Sequence, residues 1–341
     1  MPTDHYVIIG NGPAGNKAAV TLRQHSKDAR ITILSDETHP YYYKPKLTGF
    51  IAGDVSESDL IVKPDTFYEE LNIRVRLGQK VEKIDVETNT LFLTHKETIS
   101  YSKLIIASGS SARLLPAMEG YADHLNFVTS YTDVLAYKDQ IEQCNDFFIF
   151  GGDLVGFKFI RLLKSMDKNI TVLVYPNAFW PHNLDREMLS GVWHNLNKLD
   201  VNILIRDDIS TIQPGDNSRL VITTAKGFDI KADMVFSFNG LIPNIDFIKG
   251  AGIDYDHGIL VDEYLKSSND NVYACGSCAQ IYNPQIKNYS TTIGWPNAVN
   301  QGEVAALNLL GNHQGVESAG RKYFDMGGVK IKTTWWEDIE D

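Results

Sequence analysis

The chain has 341 residues, of which 43% are hydrophobic and 22% charged, which is ordinary for a globular protein with room for two domains. Its net charge of −11 argues against a nucleic-acid partner and leaves open a protein partner with a basic docking patch. No run approaches the ~18 apolar residues of a membrane helix, so no membrane span is expected. The odd count of three cysteines is typical of a reducing compartment. Because the N-terminus enters a strand directly, we expect no signal peptide and a cytoplasmic location.

The first strong signal is a strand, a glycine turn and a helix in immediate succession. The apolar run Tyr6–Ile9 ends in Gly10-Asn11-Gly12-Pro13-Ala14-Gly15, and helix-favouring residues follow. This order is the context that the dinucleotide-binding fingerprint requires. Gly10 would allow the sharp turn, Gly12 would let a pyrophosphate approach the backbone, and Gly15 would let the helix pack closely. The phosphates would bind the N–H groups at the positive end of that helix.

A second strand and an acidic pair complete this unit. The apolar pattern of residues 30–34 predicts the strand, and Asp36 and Glu37 follow it. Their distance in sequence from the glycine turn is about that of the acid that binds ribose hydroxyls. The segments 73–75, 81–85, 91–93 and 98–101 then alternate as short strands, in a meander of the kind that decorates nucleotide domains.

A further buried strand is predicted over residues 104–106. It ends in the small residues Ala107, Ser108 and Gly109, and Arg113 follows shortly afterwards. Small residues at the carboxyl end of a strand let the backbone approach a ligand.

Five segments together resemble one family. They are the Gly10–Gly15 turn, Tyr42-x-Lys44-Pro45-x-Leu47, Ala107-Ser108-Gly109-x-x-x-Arg113, Asn271–Gly276 and Gly294–Gly302. In combination they resemble the FAD-dependent pyridine-nucleotide oxidoreductases, and the Lys-Pro segment is most similar to the rubredoxin reductase and ferredoxin reductase branch. The resemblance covers nearly the whole chain.

The resemblance implies an α/β fold with two Rossmann-like three-layer dinucleotide-binding domains, the second inserted in the first. The FAD domain would span residues 1–112 and 249–318, and an NAD(P)H-binding-like domain would span 113–248. The tail 319–341 would be a shortened C-terminal interface segment. Its Trp335-Trp336 pair beside acids suggests docking to a partner or a second copy, and folding back onto its own subunit is the alternative.

The resemblance also implies a non-covalent FAD site. The positions that match are Gly10, Gly12, Pro13, Ala14, Gly15, Asp36, Glu37, Lys44, Val81, Ala107, Ser108, Gly109, Arg113, Gly276, Ser277 and Pro296. Lys44 is the predicted catalytic residue, because a positive charge near the flavin ring stabilises the reduced, anionic flavin. Ser277 stands where the family usually has Asp; a hydroxyl can make the same hydrogen bond without charge assistance.

A second strand–glycine–helix unit opens at residues 147–156, and 170–174 predict its second strand. The positions that would bind NAD(P)H are Gly151, Gly152, Asp153, Gly156, Tyr175 and Gly240. Asp153 replaces the middle glycine, where a carboxylate would crowd the pyrophosphate and repel it. Lys158 and Tyr175 replace two acids of the family pattern. The fold of this unit is expected to be intact, and its nucleotide binding stays open.

Cys275-Gly276-Ser277-Cys278 spells Cys-x-x-Cys, which invites a redox or metal interpretation. The motif lies inside the flavin-binding turn, where small apolar packing suits cysteine, so a structural role is favoured. Because no second Cys/His pair has ligand spacing, no metal site is predicted.

The primary hypothesis is an FAD flavoprotein that passes electrons between NAD(P)H and a small iron–sulfur or rubredoxin-like carrier. The alternative is an electron-transfer subunit whose nicotinamide site is lost and which exchanges electrons only with protein partners in a redox-enzyme complex. A third interpretation is a structural subunit that holds FAD without turnover.

Overall fold

The computed structural model describes residues 4–174, 186–292, 294–317, 323–325 and 330–332. The helices in these ranges are α1 (Pro13–His25), α2 (Leu47–Ala52), α3 (Glu57–Leu60), α4 (Asp65–Glu70), α5 (Tyr131–Ile141), α6 (Leu154–Ser165), α7 (Arg186–Lys198) and α8 (Trp295–Leu309). Within the described part of the chain, no helix is long and apolar enough to cross a membrane.

The strands of the described residues are β1 (His5–Ile9), β2 (Arg30–Leu34), β3 (Ile73–Arg76), β4 (Val81–Asp85), β5 (Thr90–Leu93), β6 (Thr98–Ser100), β7 (Lys103–Ile106), β8 (Ser110–Ala112), β9 (Leu125–Asn126), β10 (Asp146–Gly151), β11 (Asn169–Val174), β12 (Asn202–Ile205), β13 (Ile209–Pro214), β14 (Leu220–Thr224), β15 (Asp229–Ala232), β16 (Met234–Phe238), β17 (Leu241–Pro243), β18 (Ile259–Val261), β19 (Val272–Ala274), β20 (Ala279–Asn283), β21 (Asn288–Ser290), β22 (Tyr323–Asp325) and β23 (Lys330–Lys332). Short 3-10 turns occupy Lys44–Lys46, Thr94–Lys96, Pro116–His124, Asp216–Ser218, Asp246–Ile248 and Gly276–Cys278.

The first parallel sheet has the strand order β19-β7-β1-β2-β3. Leu104 of β7 lies opposite Val7 of β1 on one side and opposite Val272 of β19 on the other. A late segment of the chain therefore completes the sheet that the first strand begins. Helices α1 and α8 pack against each other and against this sheet. The antiparallel strands β4, β5 and β6 share the same core through Ile84 and Leu91.

The second parallel sheet has the order β12-β11-β10-β16-β9 and is built from one continuous part of the chain. Its central strand β10 is apolar on both faces. Phe147 and Ile149 join one core cluster, while Phe148 and Phe150 join another. Helices α5 and α6 contribute to the first cluster, and the antiparallel strands β13, β14 and β15 cover the second. Burial on both faces explains the continuous hydrophobic run that predicted this strand.

A two-stranded ribbon joins the two sheets, since β8 leaves the first unit and β17 returns to it. Asn244 fixes its base: the Asn244 amide N–H donates to the Gly109 carbonyl at 3.0 Å, and Nδ2 donates to the Ser108 carbonyl at 3.1 Å. On the ribbon, the Ser111 hydroxyl donates to Asn244 Oδ1 at 2.8 Å. The two crossings between the units are therefore hydrogen-bonded to each other.

The segment 42–60 belongs to both units. It follows β2 of the first sheet, yet Tyr42, Leu47 and Phe50 are buried in the core cluster of the second sheet. Helix α2 packs against α5 and α6. The Lys-Pro segment is thus held between the two units by hydrophobic burial.

The predicted α/β class with two parallel dinucleotide-type sheets is confirmed. One detail is wrong: the sequence predicts residues 73–75 as part of the meander of short strands, but β3 pairs in parallel with β2 at the edge of the first sheet. An edge strand is half exposed, so its alternating pattern does not distinguish it from a meander strand. The pair Trp335-Trp336 lies outside the described residues, and β22 pairs with β23 in the C-terminal segment.

Candidate functional site

The carboxyl ends of β1, β7 and β19 bring three predicted turns to one sheet edge. Gly10 follows β1, and a Cβ built on it would lie well inside contact distance of the Ala107 carbonyl. Gly276 follows β19, and a Cβ on it would lie 3.3 Å from the Cβ of Ala14. The three turns therefore meet, at the position where dinucleotides bind open α/β sheets.

The start of α1 is open to a ligand. Gly12 is the N-cap residue with φ −84° and ψ −172°, and no side chain caps the helix. A Cβ built on Gly12 meets nothing within 4 Å. The first amides of a helix lack backbone acceptors and lie at its positive end, so this turn fits the pyrophosphate of FAD.

The other two glycines of the turn serve the fold. Gly10 has φ +112°, a left-handed conformation that favours glycine. A Cβ on Gly15 would collide with the Gly10 carbonyl. Strand and helix could not approach this closely with any larger residue at either position.

Asn16 is a buried polar residue of α1 that the sequence reasoning missed. Its Nδ2 donates to the Asn11 carbonyl at 2.9 Å and to Asn11 Oδ1 at 2.8 Å, and Tyr68 donates to its Oδ1. These bonds fix the loop that carries Gly12. A polar residue directly after the last glycine, where the helix faces the strand, was the available signal.

The turn after β19 is held by Gln301 of α8, which was also missed. The Gly276 amide donates to Gln301 Oε1 at 2.8 Å, and Gln301 Nε2 donates to the Thr292 hydroxyl. The Ser277 hydroxyl lies 2.9 Å from that of Ser110, at the start of the ribbon. Ser277 keeps partial exposure, so its hydroxyl can still meet a ligand.

Aromatic rings join the Lys-Pro segment to the start of α8. Trp295 stacks on Tyr41 at a centroid distance of 5.5 Å and meets Tyr43 edge-on at 4.6 Å. Pro296 follows in the first turn of the helix and is exposed. Two segments predicted to contact the flavin are therefore neighbours in the structure.

Lys44 is paired with an acid that follows β2. Its Nζ lies 3.5 Å from Glu37 Oε1, and the Tyr42 hydroxyl donates to Glu37 Oε2 at 2.8 Å. The Tyr42 oxygen also accepts the Tyr131 amide at 3.0 Å, at the start of α5. Burial, together with the Glu37 charge, raises the pKa of Tyr42, so it stays a neutral donor. Asp36 is exposed at the end of the strand.

Cys275 and Cys278 are buried in the same turn. The Cys278 thiol points at the Ile106 carbonyl at 3.5 Å and at the Cys275 carbonyl at 3.3 Å. Burial raises the pKa of both thiols, which keeps them protonated and unreactive near neutral pH. This geometry agrees with the structural role that the sequence favoured.

The second unit repeats the backbone of the first. Gly151 has φ +101°, and a Cβ on it would collide with the Phe238 carbonyl. A Cβ on Gly156 would lie 2.8 Å from the Phe238 ring. The Gly152 amide donates to the Phe238 carbonyl at 2.8 Å. Both glycines that the close strand–helix approach requires are present.

Asp153 occupies the middle glycine position of the motif and caps α6 with its side chain. Its Oδ1 accepts the amides of Val155 at 3.0 Å and Gly156 at 2.9 Å, and its Oδ2 accepts the Gly240 amide at 3.3 Å. The residue as a whole is partly exposed, but its carboxylate is buried. Desolvation raises the pKa of this carboxylate, and the three hydrogen bonds only partly oppose that rise. The carboxylate is thus bound where the pyrophosphate of a nucleotide was predicted.

Two of the predicted NAD(P)H residues remain. The structure describes Gly240, and Tyr175 lies outside the described residues. Gly240 links the two units, because its amide serves Asp153 and its carbonyl accepts the Arg113 amide at 2.9 Å. Lys158 lies on the exposed face of α6.

Residues 4–302 match the family described as pyridine nucleotide-disulphide oxidoreductase. The chain belongs to this family. The resemblance inferred from the glycine turns and the Lys-Pro segment is therefore confirmed.

Known members of this family are similar over most of the chain. NADH-rubredoxin oxidoreductase of Clostridium acetobutylicum is 30% identical over 313 residues, which cover 91% of this chain and 76% of that protein. Rhodocoxin reductase of Rhodococcus erythropolis is 27% identical, and the match covers 89% of this chain and 72% of that protein. A chain of the covalent putidaredoxin reductase–putidaredoxin complex matches with a TM-score of 0.86 at 23% identity, covering 95% of this chain and 79% of that one. The last match shows the likeness of the fold.

In this pyridine nucleotide-disulphide oxidoreductase, most of the predicted FAD positions lie at one end of the first sheet. They are Gly10, Gly12, Pro13, Ala14, Gly15, Ala107, Ser108, Gly109, Gly276 and Ser277. Val81 is buried at the start of β4. Arg113 lines a cavity of about 380 Å³ beside the ribbon, together with Leu241, Lys249 and Tyr255. Its described contacts are with the ribbon, so a role for Arg113 at FAD stays a prediction.

Proposed function

We propose that this chain is a cytoplasmic FAD-dependent oxidoreductase that passes electrons between NAD(P)H and a small iron–sulfur or rubredoxin-like protein. The observation that carries the FAD part is the start of α1, where no side chain caps the helix and the space beside Gly12 is open. The carrier protein is supported by the relatives, which include NADH-rubredoxin oxidoreductase and rhodocoxin reductase. The unpaired cysteines support a reducing location.

FAD would be held by backbone and small side chains more than by charge. The amides beside Gly12 would bind its pyrophosphate, and Ser277 would bind a ribityl hydroxyl. Asp36 would bind the adenosine ribose, because Glu37 is engaged by Lys44 and Tyr42. When bound, FAD accepts a hydride and releases single electrons, and the protein binds, orients and tunes it.

Lys44 is proposed as the residue that tunes the flavin. Its ammonium lies 3.5 Å from the Glu37 carboxylate, and its side chain is 40% exposed. A positive charge on this segment favours the reduced, anionic flavin. Glu37 holds the Lys44 side chain in place and also reduces the charge that the flavin would experience.

The proposed domain division follows the sheets. Residues 1–112 and 249–318 would form the FAD domain, and 113–248 the NAD(P)H-binding-like domain. The pairing of β19 with β7 supports the split FAD domain, and the continuous second sheet supports the insertion. Residues 319–341 are proposed as an interface segment for a partner or a second copy.

A second candidate function is favoured by Asp153. As arranged, its carboxylate takes three amides of the second unit, so the unit fits NAD(P)H only after Asp153 withdraws. If the carboxylate always stays in place, the chain is an electron-transfer flavoprotein that exchanges electrons only with proteins.

Anaerobic reduction separates the two candidates. The purified protein is loaded with FAD, and NADH or NADPH is added while the flavin absorbance is followed, with rubredoxin added afterwards as acceptor. Rapid bleaching followed by reoxidation with rubredoxin is expected. No bleaching, together with normal reduction by dithionite, would favour the protein-only candidate. Failure to bind FAD would overturn both.

A further inference from the structure

The helices that follow the two glycine turns begin at N-cap residues with similar backbones and different side chains. Gly12 and Asp153 are the N-cap residues of α1 and α6, and both have extended backbones, with φ −84° and ψ −172° in the first case and φ −65° and ψ 179° in the second. The backbones match, and the side chain differs. The first cap leaves the helix amides to a ligand, whereas the second provides its own carboxylate.

We propose that Asp153 is an internal ligand of the second dinucleotide site, which a pyridine nucleotide must displace before its pyrophosphate can bind. Two of the three donors are the Val155 and Gly156 amides of α6. The third, from Gly240, belongs to the loop after β16, so the carboxylate also fastens this loop to the helix. A helix N-terminus with converging amides is an anion site, and here the anion is part of the chain.

The pattern of glycine retention supports this assignment. Gly151 and Gly156 are kept where a Cβ would collide with the carbonyl or the ring of Phe238. Of the three glycine positions of the motif, only the middle one differs between the two units, and it is the one where a Cβ on Gly12 meets nothing within 4 Å. The second unit therefore keeps the two glycines that its fold needs and lacks the glycine that leaves room for a bound nucleotide.

Asp153 could weaken nucleotide binding in two ways, which predict different effects of substitutions. Its side chain could occupy the helix amides, or its charge could repel the pyrophosphate. Repulsion alone would be relieved by any neutral residue at position 153. Occupancy would persist with Asn, because Asn is as good an N-cap as Asp and its Oδ1 would accept the same amides of Val155 and Gly156. Gly would vacate the amides, and glycine is itself a tolerated N-cap residue.

The test measures binding of ADP-ribose, which carries the pyrophosphate but cannot reduce flavin. Isothermal titration calorimetry is performed on the FAD-loaded protein, so that the first unit is already filled. Adenosine, which lacks phosphate, is the control ligand. We expect Asp153→Gly to bind ADP-ribose at least about tenfold more tightly than the unchanged chain, because no side chain then competes for the amides that the pyrophosphate would use. Asp153→Asn should stay within about threefold of the unchanged chain because it keeps the cap. Adenosine binding should not respond to either change.

Equal tightening by Asp153→Asn and Asp153→Gly would overturn the inference in favour of repulsion alone. No tightening by Asp153→Gly would overturn it as well. Asp153→Ala, which also removes the acceptor, replaces the glycine variant if that one fails to fold or to retain FAD. The inference rests on the proposed function only in taking a pyridine nucleotide as the ligand. Tight ADP-ribose binding by Asp153→Gly without flavin bleaching by NADH would reject the reductase function and leave the inference standing.

Discussion

The Lys44 ammonium lies 3.5 Å from Glu37 Oε1, so two residues that were predicted as separate FAD contacts form one ion pair. The sequence placed an acid of the 36–37 pair at the adenosine ribose and Lys44 at the flavin ring. The adenosine ribose and the flavin ring are at opposite ends of FAD, whereas the ion pair holds Lys44 beside the acidic segment that follows β2. The two acids differ in the structure, because Glu37 pairs with Lys44 and Asp36 is exposed. The binding of the ribose by Asp36 and the place of Lys44 at the flavin ring stay predictions.

Replacing Lys44 tests its proposed tuning role. We expect Lys44→Gln to make the two-electron potential of the flavin more negative by roughly 5–20 mV, the equivalent of an exposed charge interaction of about 0.2–1 kcal/mol. The potential is measured by spectroelectrochemical titration of the FAD-loaded protein. Lys266→Gln removes a lysine that pairs with Asp270 elsewhere, and should leave the potential unchanged. An unchanged potential in Lys44→Gln would place Lys44 away from the ring.

The Tyr42 hydroxyl is expected to stabilise the contact between the two units. It donates to Glu37 and accepts the Tyr131 amide, and the side chain is buried. Tyr42→Phe should lower the free energy of unfolding by about 1–3 kcal/mol, because it leaves these groups without their buried partner. Urea denaturation followed by circular dichroism measures the loss.

Tyr43→Phe is the matched control for this experiment. It keeps the ring packed edge-on against Trp295 and should change the unfolding free energy by less than about 0.5 kcal/mol. Equal destabilisation by the two variants would argue against a special role for the Tyr42 hydroxyl.

The buried thiols should resist alkylation in the folded protein. Because burial raises the pKa of Cys275 and Cys278, little thiolate forms at pH 8, and the reagent also lacks access. With iodoacetamide and peptide mass spectrometry, we expect Cys144, which is partly exposed, to react first, and the other two to react only after denaturation. Rapid labelling of Cys275 or Cys278 in the native state would revive the redox interpretation.

Local sequence patterns predicted the glycine turns well, because strand, turn and helix are set by neighbouring residues. Gly10 and Gly151 are required by backbone geometry within their own units, and a fingerprint detects such positions. The strands around them followed from apolar runs for the same reason.

Contacts between distant residues could not be predicted in this way. Asp153 was expected to repel a pyrophosphate, but its bond to Gly240 depends on two segments that only the second sheet brings together. Gln301 was likewise missed, because its partner Gly276 belongs to another element. The burial of Phe50 in the second core required knowledge of how the two units pack.

The first unit offers the reverse experiment. Gly12→Asp would place a carboxylate on the N-cap of α1, in the conformation that Asp153 already adopts on α6. Because a Cβ built on Gly12 meets nothing within 4 Å, the fold should tolerate the substitution. We expect FAD binding to weaken at least about tenfold, since the new carboxylate would take the amides meant for the pyrophosphate. The flavin absorbance per chain after dialysis against graded FAD measures the effect.

Gly120→Asp is the matched control, because a Cβ there also meets nothing within 4 Å and the residue is exposed, in the 3-10 turn Pro116–His124. It adds the same charge to the same chain and should retain FAD with unchanged affinity. If Gly12→Asp also retained FAD fully, a carboxylate on this cap would not exclude a pyrophosphate. The same result would remove the physical basis for assigning Asp153 as the internal ligand of the second unit, because the two caps share one backbone geometry.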